Sequence, residues 1–208
     1  MTEVVLFHSV LGLRPGVVGA AEKLRAAGHT VHTPDLFDGE VFDSIEDGQR
    51  KEEALGFREL ASRARESVAG LPEGLVYAGF SMGVVYAEVL TAERPGALGA
   101  ALMHGAVPVE VLAEYFGVER WPEGVPVQVH YAADDPWVEA EGEVRPLGDA
   151  VKKAGAEFEA HVYPGSGHLF ADPDFHEYDR ASSEQMWERV ISFLNWTDAR
   201  ASDKEAAR

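Results

Sequence analysis

Short apolar runs alternate with longer amphipathic segments along the chain, and this alternation restricts the possible folds more than any other feature. The runs are rich in Val, Ala and Leu and lack strict polar alternation, as is typical of strands buried on both faces. They cover residues 4–8, 29–36, 75–80, 97–105, 125–133 and 157–164. The pattern predicts an α/β fold, with a mainly parallel sheet of about six strands, helices on both faces and right-handed crossovers.

The segments between the predicted strands have helical spacing of apolar residues. We expect helices over residues 16–28, 49–69, 84–94, 144–154 and 183–196. Gly28 and Pro95 are residue types that end helices, and Gly56 weakens the second segment. No linker-like stretch divides the chain, so residues 1–196 are predicted to form a single domain, and residues 197–208 a flexible tail.

The 208 residues include 36 acidic and 18 basic side chains, which gives a formal net charge of −18. A field of this sign repels phosphates and anionic lipids, so neither nucleic acid nor membrane is an expected partner. The absence of cysteine excludes disulfides, thiolate metal sites and a cysteine nucleophile. The first residues lack a signal-peptide pattern, and the apolar runs are shorter than the roughly 18 residues of a membrane span. We therefore expect a cytoplasmic protein.

The stretch "GFSMG" places a serine between two glycines where a predicted strand changes into a predicted helix. G-x-S-x-G in this context is typical of a nucleophile elbow, in which Ser81 is held at the tip of a strained turn. Gly79 and Gly83 give the helix room to double back over the strand. The helix that begins near Met82 directs its free N–H groups towards the site, where an oxyanion can form.

A serine nucleophile needs a base, and the base needs an acid that orients it. His168 lies in the glycine-rich loop "YPGSGHLFADP" after the last predicted strand, where parallel sheets carry their sites. The other histidines considered precede Ser81, lie on the next predicted strand or lie inside later strands, and are not expected to be the base: His8, His29, His32, His104, His130 and His161. Either Asp134 or Asp135 could reach His168, and their spacing does not suit a closed metal site. We expect no metal and no cofactor.

Several motifs together resemble the dienelactone hydrolase family of the α/β-hydrolases. They are "HSVLGLRPG", "TPDLF", "GFSMG", "HYAADDPWV", "YPGSGHLFADP" and "ASSEQMWERVISFL", which span nearly the whole chain. The family register implies that Asp135, rather than Asp134, orients the base. It also implies that the N–H of Val10 is a second oxyanion donor beside that of Met82.

The chain departs from the best-known members of this family in four ways. Ser81 replaces their cysteine nucleophile, and Ser9 stands where they carry a glutamate. Asp172 stands where they carry an arginine that binds a carboxylate, which predicts repulsion of an anionic substrate. The antiparallel strands that usually precede the first parallel strand are expected to be missing.

The resemblance implies a serine hydrolase that cleaves a small carboxylic ester, thioester or lactone through Ser81, His168 and Asp135. Residues predicted to lie on loops near the site form candidate pocket walls: Leu11, Leu13, Trp121, Trp137 and Phe170. The alternative is a non-catalytic protein of the same fold that binds a small molecule or a partner. Amide or C–C bond hydrolysis also stays open, and the sequence predicts no oligomeric state.

Overall fold

The computed structural model describes residues 1–206, which contain one sheet of six strands. The strands are β1 (Glu3–Phe7), β2 (Thr30–His32), β3 (Leu75–Phe80), β4 (Gly99–Met103), β5 (Val127–Ala132) and β6 (Phe158–Tyr163). They are arranged in the order β2-β1-β3-β4-β5-β6, and every neighbouring pair is parallel. The predicted α/β fold with a mainly parallel sheet is confirmed.

Helices connect the strands within the same described range. They are α1 (Pro15–Ala26), α2 (Ile45–Leu55), α3 (Phe57–Val68), α4 (Met82–Glu93), α5 (Val109–Phe116), α6 (Arg145–Lys153) and α7 (Arg180–Ala206). A single π-helical turn, Ala140–Val144, leads into α6. Among these described helices, none is both long enough and apolar enough to cross a membrane.

Helices cover both faces of the sheet, because the strand side chains point alternately to either side. In β1, Val4 and Leu6 join one buried cluster, with α1 and α7, while Val5 and Phe7 join the other, with α3, α4 and α6. The sheet is therefore the middle of three layers. Its central strand β3 is buried along its whole length.

The helix predicted over residues 49–69 is two helices, separated at Gly56. This residue has φ +78° and ψ 145°, a conformation that ends α2 and starts α3 in a new direction. Helix α2 also begins earlier than predicted, because the Ser44 hydroxyl caps it by accepting a hydrogen bond from the Asp47 N–H at 3.2 Å. The split matters for function, since α2 borders the site described below.

Two further elements differ from the sequence prediction. Helix α5 was not predicted, since only eight residues between Pro108 and Gly117 form it. Helix α7 extends beyond residue 196 to Ala206, where its buried Thr197 hydroxyl donates to the Leu194 carbonyl at 2.8 Å. Residues 207–208 lie outside the described residues, and flexibility of the segment 197–208 stays a prediction.

Candidate active site

Ser81 lies between β3 and α4 in a conformation that side-chain-bearing residues rarely adopt, with φ 50° and ψ −115°. Its N–H donates to the Met103 carbonyl at 2.8 Å, which fixes the turn to the neighbouring strand β4. Backbone strain of this kind costs on the order of 1–3 kcal/mol and persists only where the surroundings hold it. The strained turn lifts the serine hydroxyl out of the sheet.

Two glycines make this tight turn possible. A Cβ at Gly79 would overlap the backbone carbonyl of Gly83, and a Cβ at Gly83 would lie 2.7 Å from the carbonyl oxygens of Phe7 and His8. Helix α4 therefore lies directly against the end of β1 and doubles back over β3. These two close approaches explain why both flanking positions of the G-x-S-x-G pattern are glycine.

The Ser81 hydroxyl, the His168 imidazole and the Asp135 carboxyl group form one hydrogen-bonded chain. Ser81 Oγ lies 2.7 Å from His168 Nε2, and His168 Nδ1 lies 2.8 Å from Asp135 Oδ2 and 3.1 Å from Asp135 Oδ1. The three residues follow β3, β6 and β5, so the parallel sheet brings its carboxyl ends together here. The arrangement can pass a proton from the hydroxyl to an oriented imidazole.

Asp135 and Asp134 have different environments, although they are neighbours in the sequence. The Asp135 side chain is 0% exposed and also accepts a hydrogen bond from the Trp137 N–H at 2.9 Å. Asp134 is exposed, and its N–H donates to the Gly165 carbonyl. The sequence left open whether Asp134 or Asp135 reaches His168, and Asp135 is the one in contact with it.

Val10 and Met82 both border the space in front of Ser81. Met82 is the first residue of α4, and Val10 lies in the turn after β1. Neither N–H has a hydrogen-bond partner within residues 1–206. Unpaired N–H groups beside a nucleophile can stabilise the negative oxygen of a tetrahedral intermediate.

A cavity of about 200 Å³ opens in front of the Ser81 hydroxyl. Trp137, one of the predicted pocket residues, lies in its wall and is 46% exposed. The described lining does not include Leu11 or Phe170. Leu11 is fully buried in the core, and Phe170 packs against His104 with a ring-centre distance of 4.7 Å, so neither side chain reaches the cavity. The other two predicted pocket residues, Leu13 and Trp121, are also absent from the described lining.

His104, considered from the sequence and set aside as a base, also lies in the cavity wall. It follows β4 with φ 67°, is 1% exposed, and has no hydrogen-bond partner for either ring nitrogen among the described residues. Its ring centre lies 6.1 Å from that of His168. Burial, and to a lesser degree the nearby His168 and His130, lower the pKa of His104 well below its ordinary value, so the ring is uncharged. Its position at the carboxyl end of a strand, where parallel sheets carry their sites, is the signal that could have identified it as a site residue.

The remaining polar candidates lie away from the Ser81 hydroxyl. Asp172 lies against Gly16 at the start of α1 and accepts a hydrogen bond from the Asp174 N–H, so it is not part of the described cavity lining. His130 is buried between Gln128 and Tyr163 and bonds to both side chains. Within residues 1–206, no group of three or more His, Asp or Glu side chains is arranged to hold a metal ion.

Comparison with known proteins gives one consistent result. The model of the dienelactone hydrolase family matches residues 1–197. A Saccharolobus solfataricus protein, provisionally named carboxymethylenebutenolidase, is 31% identical over 122 residues, which are 58% of this chain and 43% of that relative. The match therefore spans less than half the length of the curated relative.

Two solved structures have the same fold. A dienelactone-hydrolase-like promiscuous phosphotriesterase from metagenomic libraries has a TM-score of 0.75 at 18% identity, covering 95% of this chain and 87% of that one. A cold-adapted esterase from an Arctic intertidal metagenomic library has a TM-score of 0.68 at 18% identity, covering 94% and 82%. Similarity at this level of identity shows a shared fold.

The close approach at Gly83 generates a stability prediction. We expect Gly83→Ala to lower the free energy of unfolding by about 1–3 kcal/mol, because the new methyl group meets backbone carbonyls that cannot move freely. The matched control is Gly19→Ala, at an exposed site in α1 where an added Cβ meets nothing within 4 Å. This control should gain about 0.5–1 kcal/mol from helix propensity. Urea denaturation measures both, and equal stability of the two variants would contradict the steric account.

Proposed function

The chain belongs to the dienelactone hydrolase family, and we propose that it is a serine hydrolase of carboxylic esters, thioesters or lactones. The single observation that carries this proposal is the hydrogen-bonded chain from Ser81 through His168 to Asp135. A serine hydroxyl is a weak nucleophile until a neighbouring base accepts its proton. Esters, thioesters and lactones share the acyl carbonyl on which such a serine acts.

Formation of the acyl-enzyme is the first half of the proposed reaction. Ser81 Oγ attacks the carbonyl carbon while His168 Nε2 accepts the hydroxyl proton across their 2.7 Å contact. The buried Asp135 carboxylate holds the imidazole in the required tautomer and stabilises the imidazolium. The imidazolium then gives the proton to the leaving alcohol or thiol as the tetrahedral intermediate collapses.

The oxyanion of that intermediate is proposed to bind to the N–H groups of Val10 and Met82. Support comes from the lack of other partners for these N–H groups and from the position of both residues in the wall of the Ser81 cavity. Donors of this kind contribute roughly 3 kcal/mol each in comparable sites. The positive end of the α4 dipole adds to the same stabilisation.

Hydrolysis of the acyl-enzyme is the second half and repeats the same steps with water. His168 accepts a proton from the water molecule that attacks the acyl carbonyl, and returns it to Ser81 Oγ. The cavity of about 200 Å³ is smaller than the roughly 300–1,000 Å³ common for drug-sized ligands. We therefore expect short acyl chains to be preferred.

Removal of the nucleophile tests the proposed reaction. We expect the native chain to hydrolyse p-nitrophenyl acetate and butyrate, and Ser81→Ala to lower kcat by at least about 10⁴-fold, because no acyl-enzyme can form. Release of p-nitrophenolate measures the rate, and thermal unfolding shows whether the variant is folded. A folded native chain that cleaves no ester, thioester or lactone in a size-graded panel would favour the alternative, a non-catalytic binding protein.

A pair of neighbouring substitutions tests which aspartate orients the base. We expect Asp135→Asn to lower kcat/KM about 10³- to 10⁴-fold, because an amide cannot hold the imidazole in the productive tautomer. Asp134→Asn removes the same charge one residue away at an exposed position and should change kcat/KM less than about twofold. Comparable losses in the two variants would show that Asp135 has no special role.

A further inference from the structure

Two glutamates lie in the wall of the Ser81 cavity, on elements that the nucleophile motif does not include. Glu52 is on α2, and Glu143 is on the π-helical turn before α6. The described lining contains no lysine or arginine. The cavity in front of Ser81 is therefore bordered by two carboxyl groups whose negative charge no lysine or arginine of the lining balances.

Neither glutamate is neutralised by a positively charged side chain among the described residues. The half-buried Glu52 carboxylate makes no hydrogen bond or ion pair there, and Glu143 accepts one from the Glu139 N–H at 3.1 Å. Burial raises the pKa of both carboxyl groups, with Glu53 adding to the effect on Glu52. Carboxylates held in this way are stabilised when a cation enters the cavity.

Two other side chains of the lining suit a ligand. The Trp137 indole is 46% exposed and lies 6.1 Å from the His168 ring, centre to centre. An indole face attracts ammonium groups, and most strongly where water is partly excluded. His104 is buried at the cavity with both ring nitrogens unpartnered, so a ligand oxygen can accept a hydrogen bond from the single N–H of the neutral ring.

We propose that this site selects esters whose leaving group carries an ammonium ion, held by Glu52, Glu143 and the indole of Trp137. The inference rests on the proposed function and names its substrate class. We place the ammonium ion on the leaving group rather than on the acyl group because of the geometry. His168 must give its proton to the leaving atom, and Trp137 lies beside the His168 ring. Substrates with an anionic leaving group are rejected by these glutamates rather than by Asp172.

Three thioesters of similar size and different charge test the selection. The probes are acetylthiocholine, its neutral isostere S-(3,3-dimethylbutyl) thioacetate, and S-acetyl-3-mercaptopropanoate as the anionic member. Thiol release measures kcat/KM after subtraction of the rate with Ser81→Ala. We expect the cationic thioester to be preferred to the neutral one by about tenfold or more, and the anionic one to be the poorest substrate.

Substitutions that preserve shape then locate the selecting charges. In the double variant Glu52→Gln with Glu143→Gln, the ratio of cationic to neutral kcat/KM should fall to within about threefold of unity. Glu53→Gln removes one charge at the adjacent, exposed position of α2 and should change that ratio less than about twofold. The ratio corrects for any general effect of the substitutions on catalysis.

The outcomes separate this inference from the proposed function. The inference is overturned if Ser81-dependent cleavage shows no preference for the cationic thioester, or if that preference persists in the double variant. The proposed function is not affected by either result. No Ser81-dependent cleavage of any of the three thioesters, or of the short p-nitrophenyl esters, overturns the proposed function and the inference with it.

Discussion

The 2.7 Å contact between Ser81 Oγ and His168 Nε2 joins residues 87 positions apart, and the rest of the site depends on it. It requires Ser81 to remain in a strained conformation, which the close packing of α4 against β1 and β3 enforces. It also requires His168 to be held from behind, which the buried Asp135 does. A parallel sheet meets these requirements, because the loops after β3, β5 and β6 all emerge at one edge.

Much of the fold follows from residue patterns that act locally. The bounds of β3 were predicted to the residue, because its apolar run ends at a turn that only glycine flanks allow. Ser81 and His168 were proposed as nucleophile and base for the same reason: each lies in a glycine-rich loop directly after a strand. Helix periodicity alone was insufficient elsewhere. The break between α2 and α3 comes from the positive φ of Gly56, and the eight residues of α5 are too few to give a clear periodic signal.

The residues around the catalytic candidates were the least predictable. His104 resembled an ordinary strand-end histidine, and Glu52 resembled one of many charges on a solvated helix. Only the packing of α2 beside the elbow brings Glu52 into the cavity wall. Conversely, Asp172 was expected to face the substrate but lies against α1. The carboxyl groups that border the cavity are those of Glu52 and Glu143, and repulsion of an anionic substrate stays a prediction.

We propose Ser81, activated by His168, as the nucleophile. Incubation with a fluorophosphonate, followed by peptide mapping with mass spectrometry, tests this directly, because the reagent phosphonylates a serine whose hydroxyl proton is accepted by a base. We expect one covalent adduct per chain, located on Ser81. An intact, folded chain that acquires no adduct, or that carries it on another serine with Ser81 unmodified, would show that Ser81 is not the nucleophile.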